Sequence, residues 1–364
     1  MEKKLKILAV KDPAVLGYVP LQAEMEKAIG MPVQFDIVPW AEYYPTMLQI
    51  FSGQADYDIF MVAGHLWLCD FAEKGYLHEL SYDLKPLVTS VAEEMKYRDK
   101  IYLSPSFYDG HLVVYRKSLL GKELPDKISP QEYIRLAKEM AKQGRPIAMK
   151  AHASEILTDA LPFLRMEGAK IYDQNGKYCW YGDEAEKGLA EYCHLRQYAI
   201  VGTETYGNEE VANAIHRKEV PLAITWSGQM GVVVGKDCLE PEDLGFSALE
   251  TGWNVTWSFA ISVCSSNKEA AEKLLEYLRT PKVDEIVANY SGTPIREQTY
   301  EIGEKQQAWY AAQRKMMEVA RAFPPVEKSG EKNGILYEEI YKAFIGQISP
   351  QTAIERAKSR IEAI

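Results

Sequence analysis

Five tryptophans stand outside the apolar stripes that would bury them: Trp40, Trp67, Trp226, Trp253 and Trp257 fall at strand ends or in irregular segments. The face of an indole is electron-rich and matches the partially positive C–H face of a sugar ring, whose hydroxyls then need polar partners. Glu42, His65, Asp109, His152 and Arg296 can supply those partners, and hydrogen bonds to ionised groups are the stronger ones. The same rings, with Glu42 and Asp109, would also suit a polyamine or another small cation through cation–π and ionic contacts. A third chemistry is nucleophilic. Cys69 is the nearest thiol, but it falls in a helical pattern that points to burial.

Other constellations are poor. The stretch Gly231-Val232-Val233-Val234-Gly235-Lys236-Asp237 has one residue too few between its glycines for a phosphate loop and ends in Asp instead of Ser or Thr. The motifs GxGxxG, GxSxG and HExxH are absent. His152 with Glu155, and His194 alone, read as surface or packed side chains and not as metal ligands. Five cysteines (Cys69, Cys179, Cys193, Cys238 and Cys264) without a CxxC spacing argue against zinc and against a complete disulfide framework. The sequence therefore implies no cofactor and no metal.

Positioning such side chains requires a large scaffold. At 364 residues, 47% hydrophobic and 26% charged, the chain is an ordinary globular sequence long enough for two domains. Its net charge of −10 and lack of a basic patch exclude nucleic acid as a partner and disfavour anionic lipid. No apolar run reaches the roughly 20 residues of a membrane-spanning helix. Met1-Glu2-Lys3-Lys4 leads straight into a strand, without the pattern of an export signal.

Strand and helix patterns alternate through the first part of the chain. Leu5 to Val10, Val33 to Val38 and Asp58 to Val62 read as strands, separated by helical stripes at Leu21, Met25, Ala28, Ile29 and at Tyr44, Met47, Leu48, Phe51. This is parallel α/β architecture, whose ligands bind beyond the carboxyl ends of the strands. Those ends are Lys11-Asp12-Pro13, Pro39-Trp40-Ala41-Glu42 and Ala63-Gly64-His65-Leu66-Trp67, which adds Asp12 to the candidate site. From Ile101 to Leu120 two strand-like runs meet without the helix that a parallel crossover requires. The junction from Ser104 to Gly110 reads as a strand leaving one domain for another, Pro105 keeping it extended and Gly110 permitting a change of direction. Tyr108 and Asp109 sit at that crossing. Beyond it, Ser129-Pro130-Gln131-Glu132 and Ser266-Asn267-Lys268-Glu269 read as capping boxes, Ile147 to Met149 as a strand, and Ser349-Pro350 as the start of a last helix with the stripe Ala353, Ile354, Ala357, Ile361.

Four segments together resemble a known family. They are Asp58-Ile59-Phe60-Met61 with Gly75-Tyr76-Leu77-His78-Glu79-Leu80, the crossover from Lys100 to Lys117, the return segments Ala260–Ala271, Leu275–Leu278 and Thr293-Pro294-Ile295-Arg296, and the terminal Ser349–Ile354. In that order they resemble extracellular solute-binding proteins of the maltose-binding class, the ligand receptors of ABC importers. The resemblance implies a two-lobed α/β fold of the periplasmic-binding type with three crossovers, its lobes formed by residues 1–108 plus 261–298 and 109–260 plus 299–364. It also implies a non-enzymatic monomer outside the cytoplasm that clasps a carbohydrate between its lobes and presents it to a permease. Where the family often carries an Asn-Gly-Ser-Trp-like run, this chain reads Thr225-Trp226-Ser227-Gly228-Gln229.

Overall fold

A computed structural model describes residues 4–364. The chain forms two compact units, Met1–Asp109 with Val255–Gly303 and Gly110–Asn254 with Glu304–Ile364, and passes from one to the other three times.

The first unit begins with β1 (Leu5–Val10), α1 (Pro13–Leu16), α2 (Gln22–Ile29), β2 (Val33–Val38), α3 (Trp40–Phe51), β3 (Ile59–Ala63), α4 (Gly64–Glu73) and α5 (Thr89–Glu94). Strand β1 lies between two parallel neighbours, with Leu5 opposite Val33 of β2 and Ile7 opposite Ile59 of β3. Parallel strands need crossovers that cover the sheet, which is why β1 and β3 are apolar and buried almost throughout. Helix α2 stops at Gly30, whose φ of 71° is the left-handed position that favours glycine.

A buried carboxylate ties the foot of this sheet together. Asp58 accepts hydrogen bonds from the Lys6 backbone N–H at 3.0 Å, the Ser265 hydroxyl at 2.6 Å and the Asn267 side-chain amide at 3.1 Å. One expectation is corrected here. The capping box read from Ser266 to Glu269 does not form: the Lys268–Leu278 helix starts one residue later, with Asn267 at the N-cap position and no side-chain cap bond.

A short hairpin of β4 (Lys96–Tyr97) and β5 (Lys100–Ile101) precedes β6 (Ser104–Arg116), a single strand of 13 residues, all buried. The unit boundary falls inside it, between Asp109 and Gly110. Gly110 therefore turns nothing. A Cβ there would stand 2.5 Å from Met316 Sδ and 2.9 Å from the Trp253 carbonyl oxygen, so glycine is required for close packing.

In the second unit follow α6 (Lys117–Leu120), β7 (Lys127–Ile128), α7 (Pro130–Lys142), α8 (Ile156–Leu164), β8 (Leu222–Trp226) and β9 (Leu244–Leu249). Strand β6 is antiparallel to both β8 and β9, with His111 opposite Trp226 and Leu112 opposite Ala248; β7 runs parallel to β9. Ser129 caps α7 as its sequence predicts, accepting from the Glu132 N–H at 3.1 Å. The run Ile147 to Met149 makes only isolated bridges, Ile147 with Ala199 and Ala148 with Ala223, and no regular strand. Strand β10 (Asn254–Ile261) then returns the chain to the first unit, antiparallel to β3, with Trp257 opposite Ala63 and Ile261 opposite Ile59. The terminal helix Pro350–Ile361 is capped by Ser349 and buries Ala353, Ile354, Ala357 and Ile361.

Candidate functional site

Because β1, β2 and β3 are parallel, Val10, Val38 and Ala63 end at one edge of the first unit's sheet, and α1, α3 and α4 begin there almost at once. Trp257 joins the same edge through its pairing with Ala63. The result is a shelf of aromatic rings. Trp40, the first residue of α3, stacks on Trp67 with centroids 5.8 Å apart and planes 24° from parallel. Tyr44, one turn further along α3, stacks on the same ring at 5.5 Å and 22°. Trp257 meets both tryptophans edge-on, at 5.8 Å and 6.3 Å. Beneath them Tyr43 is buried, its hydroxyl donating to the Met61 carbonyl at 2.7 Å.

Trp67 is buried while Trp40 is 37% and Tyr44 42% exposed, so the shelf shows solvent its outer rings on a supported base. Of the stripe Tyr44, Met47, Leu48 and Phe51, Met47 is buried as its spacing predicts, but Tyr44 and Leu48 are exposed, and Tyr43 and Ile50 are buried in their place.

The polar candidates of this unit are distributed as follows. Asp12 caps α1, accepting from the Ala14 N–H at 2.9 Å. Glu42 is exposed in the first turn of α3. His65 lies in the first turn of α4, where burial pushes its imidazole down to about 3 and keeps it neutral. Tyr108 and Asp109 are buried on β6. Arg296 spends one guanidinium N–H on the Arg279 carbonyl at 3.0 Å.

The second unit gathers a different set. Trp226 closes β8 and Trp253 precedes β10, their ring centroids 5.4 Å apart and their planes 72° from parallel. Trp253 is fully buried, its indole N–H donating to the Thr158 carbonyl at 3.0 Å. This corrects the expectation of an open ring at a strand end: Trp253 is core. Trp226 keeps only 8% of its surface exposed. His152 is exposed, with Nδ1 2.8 Å from Ser154 Oγ.

Two residues with no spacing signal, His111 and Lys150, stand against Trp226 and are themselves paired with Glu155 and Asp159. His111 lies 4.0 Å from the Trp226 ring by centroid, and the Lys150 ammonium stands over that ring at 5.4 Å. Lys150 is ion-paired with Glu155 and stands 3.8 Å from Asp159 Oδ2, while His111 Nε2 is 2.9 Å from Asp159 Oδ1. The Lys150 charge holds the Glu155 carboxyl below the usual range, and burial pushes the His111 imidazole down in spite of Asp159. The cluster is an ion network beside the Trp226 ring, in which the buried Lys150 cation faces two carboxylates. Among the described residues no group of three or more His, Cys, Asp and Glu is placed to hold a metal ion. Cys69 is buried, which disfavours a thiolate nucleophile.

Residues 18–285 match the sequence profile of the bacterial extracellular solute-binding protein family. The chain belongs to this family. Solved structures agree over its whole length: maltose-bound MalE3 of T. maritima, 19% identical, with 99% of each chain covered and a TM-score of 0.89; a solute-binding protein of Thermotoga lettingae TMO with α-D-tagatose, 19% identical, 99% of each chain, TM-score 0.85; and one of Agrobacterium radiobacter K84 with ribitol, 17% identical, 99% of this chain and 98% of that one, TM-score 0.86. At such identities the likeness establishes the fold, which is the periplasmic-binding α/β fold expected from the sequence. The family is extracellular, and among the described residues no helix is long and apolar enough to cross a membrane.

Proposed function

We propose that this chain is the receptor of an ABC importer and binds a neutral carbohydrate or polyol without transforming it. The observation that carries the proposal is the ring shelf of Trp40, Tyr44, Trp67 and Trp257 at the carboxyl edge of the parallel strands, the ligand side of such sheets. Stacked indoles offer flat apolar area to sugar C–H groups, and Glu42 in the first turn of α3 offers a strong acceptor for hydroxyls. Family membership supports the importer context, and the solved relatives hold maltose, tagatose and ribitol. In the same proposal the protein acts as a monomer, in the periplasm or lipid-anchored at the cell surface. It delivers its ligand to a permease, and binding draws the chain into a more compact, closed arrangement. A ligand shifts that equilibrium only through higher affinity for the closed arrangement.

The test is a thermal-shift and calorimetric screen against maltose, D-tagatose, D-mannitol, ribitol and spermidine. A ligand at a hundred times its dissociation constant stabilises by about 2.7 kcal/mol. Binding of a sugar or polyol with a fall in the radius of gyration by X-ray scattering is expected. Binding of spermidine alone would move the protein to the cation class, and turnover of a bound sugar would make it an enzyme.

A further inference from the structure

Strand β10, which lies between β3 and β6, loses its β3 neighbour beside the shelf. Its ladder with β3 ends at the pair Trp257–Ala63, because β3 gives way to α4 at Gly64. Thr256, the next residue of β10, is buried, and a buried backbone N–H without a partner is costly. Glu94, the last residue of α5, serves it. The Thr256 N–H donates to Glu94 Oε2 at 2.8 Å and the Thr256 hydroxyl to Oε1 at 3.0 Å. Both carboxylate oxygens thus hold the residue adjacent to Trp257. On the other side of Trp257, the Ser258 hydroxyl lies 3.5 Å from Met95 Sδ. The same turn abuts the start of α4, since a Cβ on Gly64 would stand 4.0 Å from the Glu94 carbonyl oxygen.

We propose that Glu94 is a positioning residue for the shelf: its carboxylate replaces the missing strand partner of β10, fixes the angle at which Trp257 meets Trp40 and Trp67, and thereby sets the affinity for a stacked ligand. The affinity part rests on the carbohydrate reading above; the geometric part does not. The two hydrogen bonds take the place of ladder bonds from β3, so Glu94 ties β10 where its pairing with β3 stops. Trp257 presents its edge to Trp40 at 88° and to Trp67 at 74°, and a small rotation of β10 would close or splay that corner.

The experiment uses the full chain with Glu94→Ala, Glu94→Gln and Thr256→Val, reading near-ultraviolet circular dichroism and the binding of maltose, D-tagatose, D-mannitol and ribitol. Glu94→Ala is expected to keep the far-ultraviolet spectrum, lose much of the aromatic signal and bind roughly tenfold more weakly. Glu94→Gln, which keeps a carbonyl acceptor, restores most of both, and Thr256→Val falls between. An aromatic spectrum and affinity unchanged in Glu94→Ala would overturn the proposal, as would a Glu94→Gln protein no better than Glu94→Ala. If Glu94→Ala does not fold, Thr256→Val decides by the same two readouts. A wild-type protein that binds none of the four compounds sinks the carbohydrate reading, while the spectra still judge the geometry.

Discussion

Trp253 Nε1 lies 3.0 Å from the Thr158 carbonyl oxygen, and the whole indole is shut away from solvent. The ring joins α8 to the approach of β10 and packs on Trp226 and Phe323. Truncating it opens a large cavity and orphans a carbonyl. Trp253→Ala should therefore cost about 3–5 kcal/mol and lower the melting temperature by several degrees. A variant that melts with the wild type would contradict the burial described here.

Trp40 is the opposite case. Its ring is stacked on one side and wet on the other, so Trp40→Ala should change stability by only about 1 kcal/mol. Sugar affinity should fall by about 1 kcal/mol or more, roughly fivefold. Calorimetric titration of the variant against the best compound of the screen measures it. Undiminished affinity would remove Trp40 from the binding surface.

Asp284 is buried in the first unit, accepting from the Ile295 N–H at 2.8 Å and the Thr299 hydroxyl at 2.5 Å. Burial outweighs these bonds and pushes its carboxyl up to about 6. The folded state then holds the proton more tightly than the unfolded chain, so this group favours folding at low pH. Its contribution is lost as pH rises from about 4 through about 6, on the order of 3 kcal/mol in all. Asp284→Asn, which keeps the acceptor for Ile295, should flatten the stability profile across that window. Denaturation curves between pH 4 and 7 would show it, and an unchanged slope would count against the assignment.

Lys150 is a buried cation facing Glu155 and Asp159. Removing it leaves Asp159 buried without its balancing charge, so Lys150→Met should destabilise by about 3–5 kcal/mol. Adding Asp159→Asn should recover part of the loss, because the two changes are coupled through one network. A double-mutant cycle with strictly additive losses would dissolve the network.

Much of the scaffold was legible because it follows from local rules. The strands at Leu5–Val10 and Val33–Val38 and the capped helix at Pro350–Ile361 have single-period patterns, and the structure keeps their bounds. Trp40 and Trp67 were legible as a pair because strand ends in a parallel sheet share an edge, whereas Trp257, expected with residues 109–260 of the second unit, stands within antiparallel β10 and joins them in the first unit. What failed depended on side-chain partners far along the chain. Tyr44 and Leu48 look like core to any periodicity argument, since an apolar face reads the same whether it meets protein or solvent. Ser266 reads as the cap of its helix, but Asn267 takes that position, and the partner of the Asn267 amide, Asp58, lies far back in the sequence. His111, Lys150 and Asp159 come from three separate segments, and nothing in their spacing announces that they meet.

The interleaving of the two units has a consequence for biosynthesis. The first unit breaks off at Asp109 and resumes at Val255, so 145 residues (254 − 109) are made before β10 exists to pair with β3. At ribosomal rates of 5–20 residues per second that wait is on the order of ten seconds or more. The second unit is likewise unfinished until Glu304–Ile364 has emerged. Neither unit can complete its fold as an N-terminal fragment, and long-range pairing of this kind is intrinsically slow. The nascent chain thus stays incompletely folded until nearly all of it has been synthesised, the condition in which a polypeptide can still be threaded across a membrane.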